Sequence, residues 1–166
     1  LHQLRFWFFN ILKLSVKVEL EVMHQTNDKN KENLKSFYEK NRIKYELFNF
    51  KKNLFKNANE INFCITRAGA SSLAELVQIN LPFVAIPFPY AKDNHQYYNA
   101  LFYKKLNCCW MIEQNSNISK DLFNLIYSFF EKKNDLNEKI NAMKKITYEN
   151  SWNNINQKII DSINEN

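Results

Sequence analysis

The stretch RAGASSLAE, residues 67–75, decides the fold because it holds Gly69, the only glycine in this 166-residue chain. The apolar run INFCIT (61–66) precedes it, and the helix-like run SSLAELVQIN (71–80) follows it. Glycine permits a positive φ angle and lets a ligand approach the backbone closely. A strand, a tight glycine turn and a helix start therefore predict an anion-binding turn, where backbone N–H groups of the helix point at a phosphate.

Polar side chains of the same stretch fit that interpretation. Arg67 supplies a fixed cation just before the turn, and Ser71 and Ser72 supply hydroxyl donors at the helix start. A structural alternative is a helix cap, in which Ser71 or Ser72 caps and Glu75 reaches back to Ser72 in a capping box. Taken alone, the stretch favours the capping interpretation.

A second strand–helix junction, PFPYAKDNHQYYNA (87–100), raises the odds of a ligand site. It also begins at the end of an apolar run, and in open parallel sheets that edge is where ligands bind. The helix start is dense in neutral hydrogen-bonding side chains that suit sugar hydroxyls. These are Asn94, His95, Gln96 and Asn99. In the alternative, Asn94 caps the helix and the other three form a solvated face, and at this point both interpretations stay open.

The hydrophobic pattern along the chain alternates between strand and helix periods. Strands are predicted at 16–22, 44–50, 61–66, 82–88 and 108–113, and helices at 3–14, 32–40, 71–80, 93–105, 119–133, 135–147 and 150–164. Leu73, Leu76 and Val77 are expected on one buried helix face. We also expect Asp93 or Asn94 near the cap of the fourth helix and Ser119 at the cap of the fifth. Alternating strands and helices predict an α/β fold with a parallel sheet covered on both faces.

Composition narrows the class of protein. With 45% hydrophobic residues, the chain has enough apolar surface for one domain, predicted to span 1–166. A net charge of +6 permits anionic partners without choosing among them. Three cysteines without a Cys-x-x-Cys pair, and three histidines far apart, predict a reduced cytosolic chain with neither zinc site nor disulfides.

The early apolar stretch FWFFNILKLSV is too short to span a membrane, which takes about 20 residues. It also lacks a signal-peptide cleavage pattern. It fits a core helix on the sheet, the preferred interpretation, or an interfacial helix. The chain begins with Leu1 rather than Met, so we expect a piece of a longer protein.

In combination, RAGASSLAEL (67–76) and LPFVAIPFPYAKDNHQYYNA (81–100) resemble the nucleotide-sugar domain of the bacterial peptidoglycan N-acetylglucosaminyltransferase (MurG) family. The resemblance covers roughly 16–165. It implies a Rossmann-like parallel sheet with flanking helices, the C-terminal half of a two-domain GT-B fold. It also implies transfer of GlcNAc from UDP-GlcNAc to lipid I, giving lipid II in cell-wall synthesis, with inversion and without metal or other cofactor.

The resemblance also implies roles for residues at matching positions. Ala70, Ser71 and Ser72 would line the donor near its phosphates and sugar, and Glu75 would accept hydrogen bonds from the ribose hydroxyls. His95, Gln96 and Asn99 would meet the GlcNAc and diphosphate. Phe50 and the backbone of Lys51 would flank the uracil. Arg67 belongs to the motif with a phosphate or a structural role, and no residue is assigned as catalytic.

Departures from the family pattern bear on these roles. His95 stands where a glutamine is common, and Lys51 stands where an apolar residue is usual. No glycine precedes Gly69, so the family's glycine-rich phosphate loop is missing, as is the amino-terminal acceptor domain. We therefore expect a single donor-binding domain fragment that is inactive, or nearly so, by itself.

The implied partners are UDP-GlcNAc, lipid I through the missing amino-terminal domain, and the cytoplasmic face of the inner membrane as a peripheral contact. One alternative is a stand-alone donor-binding subunit of a split GT-B transferase that needs a membrane partner. Another is a basic nucleic-acid-binding domain, which the charge permits. Lysines and arginines are scattered, however, and no recognition signature appears, so we expect no nucleic acid.

Overall fold

The structure, a computed structural model, describes residues 20–52, 54, 60–131, 134–149, 154, 156–158, 160 and 161. The chain divides into two compact units, Leu1–Lys56 and Asn57–Asn166. The first unit contains β1 (Glu21–Gln25), α1 (Asp28–Lys40) and β2 (Lys44–Phe48). The second contains β3 (Cys64–Thr66), α2 (Ala70–Gln78), β4 (Phe83–Ala85), a 3-10 turn (Lys92–Asn94), α3 (His95–Lys105), β5 (Cys109–Met111), α4 (Ile118–Glu131) and α5 (Asn134–Glu149).

The first unit is a parallel strand pair joined by a helix. β1 and β2 pair in parallel from Glu21 opposite Lys44 to Gln25 opposite Phe48. Helix α1 crosses between them, as a parallel connection requires. Its apolar face buries a small core with β1 and the chain before β2. This core contains Val22, Leu34, Tyr38 and Ile43.

The second unit is built on a three-stranded parallel sheet in the order β3-β4-β5. The central strand β4 is buried throughout, as a strand with neighbours on both sides should be. Helix α2 buries Leu73, Leu76 and Val77, which confirms the predicted face. Thr147 of α5 donates to the Val77 carbonyl at 3.5 Å, so α5 packs beside α2. Parallel strands with flanking helices confirm the predicted α/β class.

Three helices end alike, with a non-glycine residue in the left-handed conformation. Arg42, Asn80 and Asn107 have φ angles of 55°, 55° and 58°. The N–H of each of these residues donates to the carbonyl of the residue three positions earlier. The N–H of the following residue donates to the carbonyl five positions earlier, as from Leu81 to Leu76 at 3.0 Å. This is the Schellman ending, which usually places glycine at the left-handed position. A chain with one glycine uses asparagine and arginine there instead.

Several predicted boundaries were wrong by a few residues. The strand predicted at 16–22 is β1 at Glu21–Gln25, and 16–19 lie outside the described residues. Helix α1 begins at Asp28 because Asn27 caps it by accepting from Asn30 N–H at 3.3 Å. Strands β3 and β5 keep only three residues of the apolar runs, and β3 is half-buried rather than buried.

Other predicted positions have mixed outcomes. Ser119 does not cap the fifth predicted helix, because α4 already begins at Ile118. The helix predicted to begin at 135 begins one residue earlier, since α5 starts at Asn134. The helix predicted at 3–14 lies outside the described residues. Of the last predicted helix, the described residues 154, 156–158, 160 and 161 are helical.

Candidate functional site

The turn between β3 and α2 carries Gly69 in an ordinary extended conformation. Its φ and ψ angles are −68° and 135°, so the turn does not use the positive φ that glycine permits. A Cβ placed on Gly69 would lie 3.7 Å from the Ser72 hydroxyl oxygen, an ordinary contact, with no other described atom as close. Neither backbone conformation nor local crowding requires glycine here. What glycine leaves is open space beside the backbone.

The start of α2 lacks a side-chain cap within the described part of the chain. Gly69 is the capping residue, and its lack of a side chain leaves the first N–H groups of the helix without that partner. The predicted cap by Ser71 or Ser72 with a Glu75 capping box is wrong, because both serines already lie inside the first turn. Ala70, Ser71, Ser72 and Glu75 are all exposed. The start of α2 therefore presents a partial positive charge and two hydroxyl groups to solvent.

Arg67 ties the ends of two strands together. Its Nη1 donates to the carbonyls of Ile86 and Pro87, both at 3.3 Å. Its guanidinium also lies 5.5 Å from the centre of the Phe88 ring. Burial lowers the pKa of this guanidinium. The observed contacts give Arg67 a structural role, and a contact with phosphate stays a prediction.

Gln96 and Asn99 of α3 hold the two loops at the carboxyl ends of β3 and β4. Asn99 Nδ2 donates to the Ala68 carbonyl at 3.0 Å. Gln96 Oε1 accepts from the Phe88 N–H at 3.0 Å. Together with Arg67, these bonds bring the β3–α2 turn and the loop after β4 to the same edge of the sheet. The structure thus unites the two junctions that the sequence singled out.

The turn before α3 is strained at two successive residues. Asp93 and Asn94 both have a φ of 52°, a conformation that asparagine and aspartate adopt more readily than other residues do. Asn94 occupies the capping position of α3, but its side chain makes no capping bond. His95 Nδ1 lies 2.7 Å from the Lys92 carbonyl oxygen. His95 therefore braces this turn, and its contact with a sugar stays a prediction.

Phe50 and Lys51 belong to the first unit, whereas the other predicted site residues belong to the second. The Phe50 side chain is 82% exposed, so an aromatic face is available to a ligand. The Lys51 ammonium pairs with both carboxylate oxygens of Glu46 at 2.7 and 2.9 Å. Their approach to the uracil stays a prediction.

The sequence interpretation missed two aromatic residues beside this edge. The Arg67 guanidinium lies over the Phe88 ring, and the Phe88 N–H donates to Gln96 Oε1. The Phe88 ring also packs edge-on against Tyr90, with 5.7 Å between the ring centres. Tyr90 is 84% exposed. The signal for both was the PFPY sequence directly after a buried strand, where exposed aromatic rings have no core to enter.

The described residues contain no group of three or more acidic, histidine or cysteine side chains arranged to hold a metal ion. No helix within that part of the chain combines the length and hydropathy needed to cross a membrane. The site's charge comes instead from the start of α2, from Arg67 and from the exposed carboxylate of Glu75. Helix dipole and hydroxyl groups can bind an anion without a metal.

A parallel α/β sheet with an open helix start at the carboxyl ends of its strands is the architecture of ligand-binding α/β domains. Comparison with known proteins makes this specific. Residues 8–155 match the glycosyltransferase family 28 C-terminal domain, and the chain belongs to that family. The family assignment favours neither the nucleic-acid-binding alternative nor the split-subunit alternative.

Two relatives of the chain share one protein name. The chain is 45% identical over 156 residues to the UDP-N-acetylglucosamine--N-acetylmuramyl-(pentapeptide) pyrophosphoryl-undecaprenol N-acetylglucosamine transferase of Pelagibacter ubique (strain HTCC1062), covering 94% of this chain and 44% of the relative. It is 34% identical over 140 residues to the protein of that name from Helicobacter pylori (strain G27), covering 83% and 39%. The chain thus spans less than half the length of these relatives.

A solved structure shares the fold. The crystal structure of Acinetobacter baumannii MurG superposes with a TM-score of 0.72 at 21% identity, covering 100% of this chain and 49% of that protein. At this identity the match supports the architecture alone, a parallel α/β domain that corresponds to about half of the MurG structure. It agrees with the predicted C-terminal half of a GT-B fold.

Proposed function

We propose that this chain is the donor-binding part of an enzyme that transfers GlcNAc from UDP-GlcNAc to lipid I, giving lipid II. The observation that carries the proposal is the open start of α2 at the carboxyl edge of the sheet. There, uncapped N–H groups, two exposed hydroxyls and an exposed carboxylate share one helix face. The family assignment and the names of the relatives support the choice of substrate.

The proposed donor contacts follow from the chemistry of each group. The diphosphate lies in front of α2, where the N–H groups of Ala70, Ser71 and Ser72 and the helix dipole meet its charge. Glu75 lies one helical turn beyond Ser71 on the same face and accepts hydrogen bonds from the ribose hydroxyls. These hydrogen bonds to a charged acceptor are stronger than neutral ones.

The loop after β4 contributes the sugar-binding side in this proposal. Gln96 and Asn99 each use one polar atom to hold a loop and keep the other amide atom for the donor. His95 approaches from the same helix start. As the resemblance implies, Phe50 and the backbone of Lys51 flank the uracil. The single donor-binding domain predicted for 1–166 is part of the same proposal.

The proposed reaction is direct displacement at the anomeric carbon. A hydroxyl of lipid I attacks this carbon, and its bond to the diphosphate breaks. UDP leaves, and the configuration at the anomeric carbon of the transferred GlcNAc is inverted. The negative charge that develops on UDP is stabilised by the start of α2, a preorganised donor set that needs no rearrangement during the step. Glu75 binds in this scheme and does not take the proton. The acceptor-binding site and the general base belong to the remainder of the full-length protein.

Localisation follows from the acceptor. Lipid I is a membrane lipid, so we propose peripheral contact of the full-length enzyme with the cytoplasmic face of the inner membrane. Support comes from the relatives' names, which specify an undecaprenol-linked acceptor. Co-sedimentation of the full-length protein with vesicles containing its lipid acceptor tests this part, and absence from the vesicle fraction would contradict it.

Calorimetry with UDP tests the donor site directly. Glu75→Ala should weaken UDP binding by about 10- to 100-fold, because a hydrogen-bonded charged group contributes about 1.5–3 kcal/mol. Glu138→Ala removes another exposed carboxylate, from α5, and should leave the affinity unchanged. Equal heats from wild type and Glu75→Ala would remove the donor-binding assignment.

A further inference from the structure

A groove lies along the open edge of β5, on residues that the donor site does not use. Its volume is about 320 Å³, at the lower end of the range for small-molecule sites. Helix α3 contributes its end, α4 and α5 contribute one face, and β5 contributes the floor. The residues that matter for its chemistry are Lys104, Asn107, Trp110, Met111, Asp121 and Lys139. We call it the edge groove.

The backbone of β5 offers a donor to the edge groove. Ile112 N–H donates to the Ala85 carbonyl at 3.1 Å, so its backbone groups face β4. Backbone groups of successive strand residues point to opposite sides. The N–H and C=O of Met111 therefore face the open edge, where β5 has no neighbour within the described sheet. A ligand in the edge groove can bond with this N–H.

The ammonium of Lys139 is held in place by two neutral groups. It lies 5.0 Å from the centre of the Trp110 ring and donates a hydrogen bond to the Asn107 side-chain oxygen. Trp110 is itself backed by Phe129 at 4.7 Å between ring centres. The ion pairs found among the described residues do not involve Lys139. Its position is thus fixed while its charge remains available to an anion.

A second ammonium converges on the same place. Lys104, near the end of α3, lines the edge groove together with Lys139 of α5. With Asp121 as the acidic side chain in the lining, the charge of the groove is one unit positive. That balance suits a small anion.

We propose that the edge groove binds a small organic anion, a carboxylate or phosphate monoester with a compact apolar body. Its charged group lies between Lys139 and Lys104 and accepts a hydrogen bond from Met111 N–H. Its apolar body packs on the side chains of Met111 and Leu125. The competing explanation is that the lysines only guard a strand edge against pairing with other chains, a common use of lysine.

Two-dimensional NMR of the 15N-labelled full chain distinguishes these explanations. The probes are 4-hydroxybenzoate, phenyl phosphate, and 4-hydroxybenzyl alcohol as a neutral analogue of the first. We expect saturable shifts of the Trp110 indole N–H and the Met111 amide with one or both anions and none with the alcohol. No saturable shift with either anion would overturn the proposal and leave edge protection as the role of the lysines.

Lysine variants identify the groove as the site of binding. Lys139→Gln should weaken anion binding by about tenfold or more, the value of one charge-assisted hydrogen bond. Lys139→Arg keeps both the charge and the contact with Trp110 and should retain binding. Lys145→Gln, an exposed residue on the same helix, is the matched control. Equal binding by Lys139→Gln and wild type would overturn the proposal.

A competition experiment separates the edge groove from the donor site. Saturating UDP should leave the anion-induced shifts unchanged, since the two sites share no residue. Loss of the shifts on addition of UDP would place the anion in the donor site and overturn the proposal. The result does not depend on the GlcNAc-transfer function, because the readout is binding at Trp110 and Met111.

Discussion

The importance proposed for Gly69 lies in the open space beside its backbone, which a side chain would occupy. Its backbone is extended and its surroundings are open, so the fold does not require glycine. In Gly69→Ala, the weaker capping by alanine offsets the reduced entropy of the unfolded chain. We expect the free energy of unfolding, from urea titration, to change by no more than about 1 kcal/mol.

The same variant tests the approach of the diphosphate. A methyl group at position 69 enters the space in front of the α2 N–H groups, so we expect UDP affinity to fall by about tenfold or more in calorimetry. Unchanged affinity would mean that the phosphates do not approach this turn. A large loss of stability would show that the glycine is structural after all.

His24 makes the stability of the first unit depend on pH. Its Nδ1 lies 2.8 Å from the Tyr38 hydroxyl, and burial lowers its pKa below the ordinary 6.5. The unfolded chain then binds the proton more readily than the folded chain does. The stabilisation is fully present above about pH 6.5 and is lost as the pH falls toward the folded-state pKa.

Urea unfolding at pH 7.5 and pH 5.5 measures this dependence. Wild type should lose stability at the lower pH, and His24→Gln, which cannot titrate, should lose less. An identical pH dependence in wild type and His24→Gln would rule out the burial effect.

The sequence predicted which residues are buried where apolar residues recur at helical spacing. Leu73, Leu76 and Val77 recur at helical spacing, and they are buried as expected. Arg67 was ambiguous because its partners, the carbonyls of Ile86 and Pro87, lie about 20 residues away in sequence. No local pattern indicates such a bond. The same limit hid the loop-holding bonds of Gln96 and Asn99.

At the scale of elements, the helix endings offer a direct stability test. Arg42 holds the left-handed position after α1, which costs a residue with a Cβ about 1–2 kcal/mol. Arg42→Gly should therefore raise the free energy of unfolding by about 0.5–1 kcal/mol. Asn80→Gly should gain less, because asparagine tolerates this conformation.

A glycine inside the same helix serves as the control for these endings. Lys40→Gly lies in the last turn of α1 and should lower the free energy of unfolding by about 1 kcal/mol, owing to the entropy cost of glycine in a helix. Chemical denaturation of the three variants gives the comparison. A loss of stability in Arg42→Gly would show that its side chain contributes more than the backbone strain costs.

Element types were predictable, whereas element ends were not. Alternating strand and helix periods sufficed for the α/β class, since a parallel sheet is the usual result of that order. The strands β3 and β5 are shorter than their apolar runs, because backbone pairing rather than hydrophobicity decides where a strand begins and ends. Likewise, Asn27 began α1 earlier than expected by bonding to a backbone N–H.

At the scale of the whole molecule, we expect the 166-residue chain to bind UDP but not to transfer GlcNAc to lipid I. The chain spans 44% of its relative from Pelagibacter ubique, and among the described site residues only Glu75 carries a carboxylate, which is assigned to binding. A turnover assay with UDP-GlcNAc and lipid I checks this, with the full-length protein as control. Robust transfer by the chain alone would mean that it contains its own base and acceptor site.

The all-parallel pairing of β1 with β2, and of β4 with both β3 and β5, has a consequence for synthesis on the ribosome. Parallel neighbours need a crossover of about a dozen or more residues, so no strand can pair with the segment that emerges just after it. When β3 leaves the exit tunnel, its apolar side chains must wait until α2 and β4 have followed. A nascent chain stalled within α2 should therefore be a better substrate for chaperones than one stalled beyond β5.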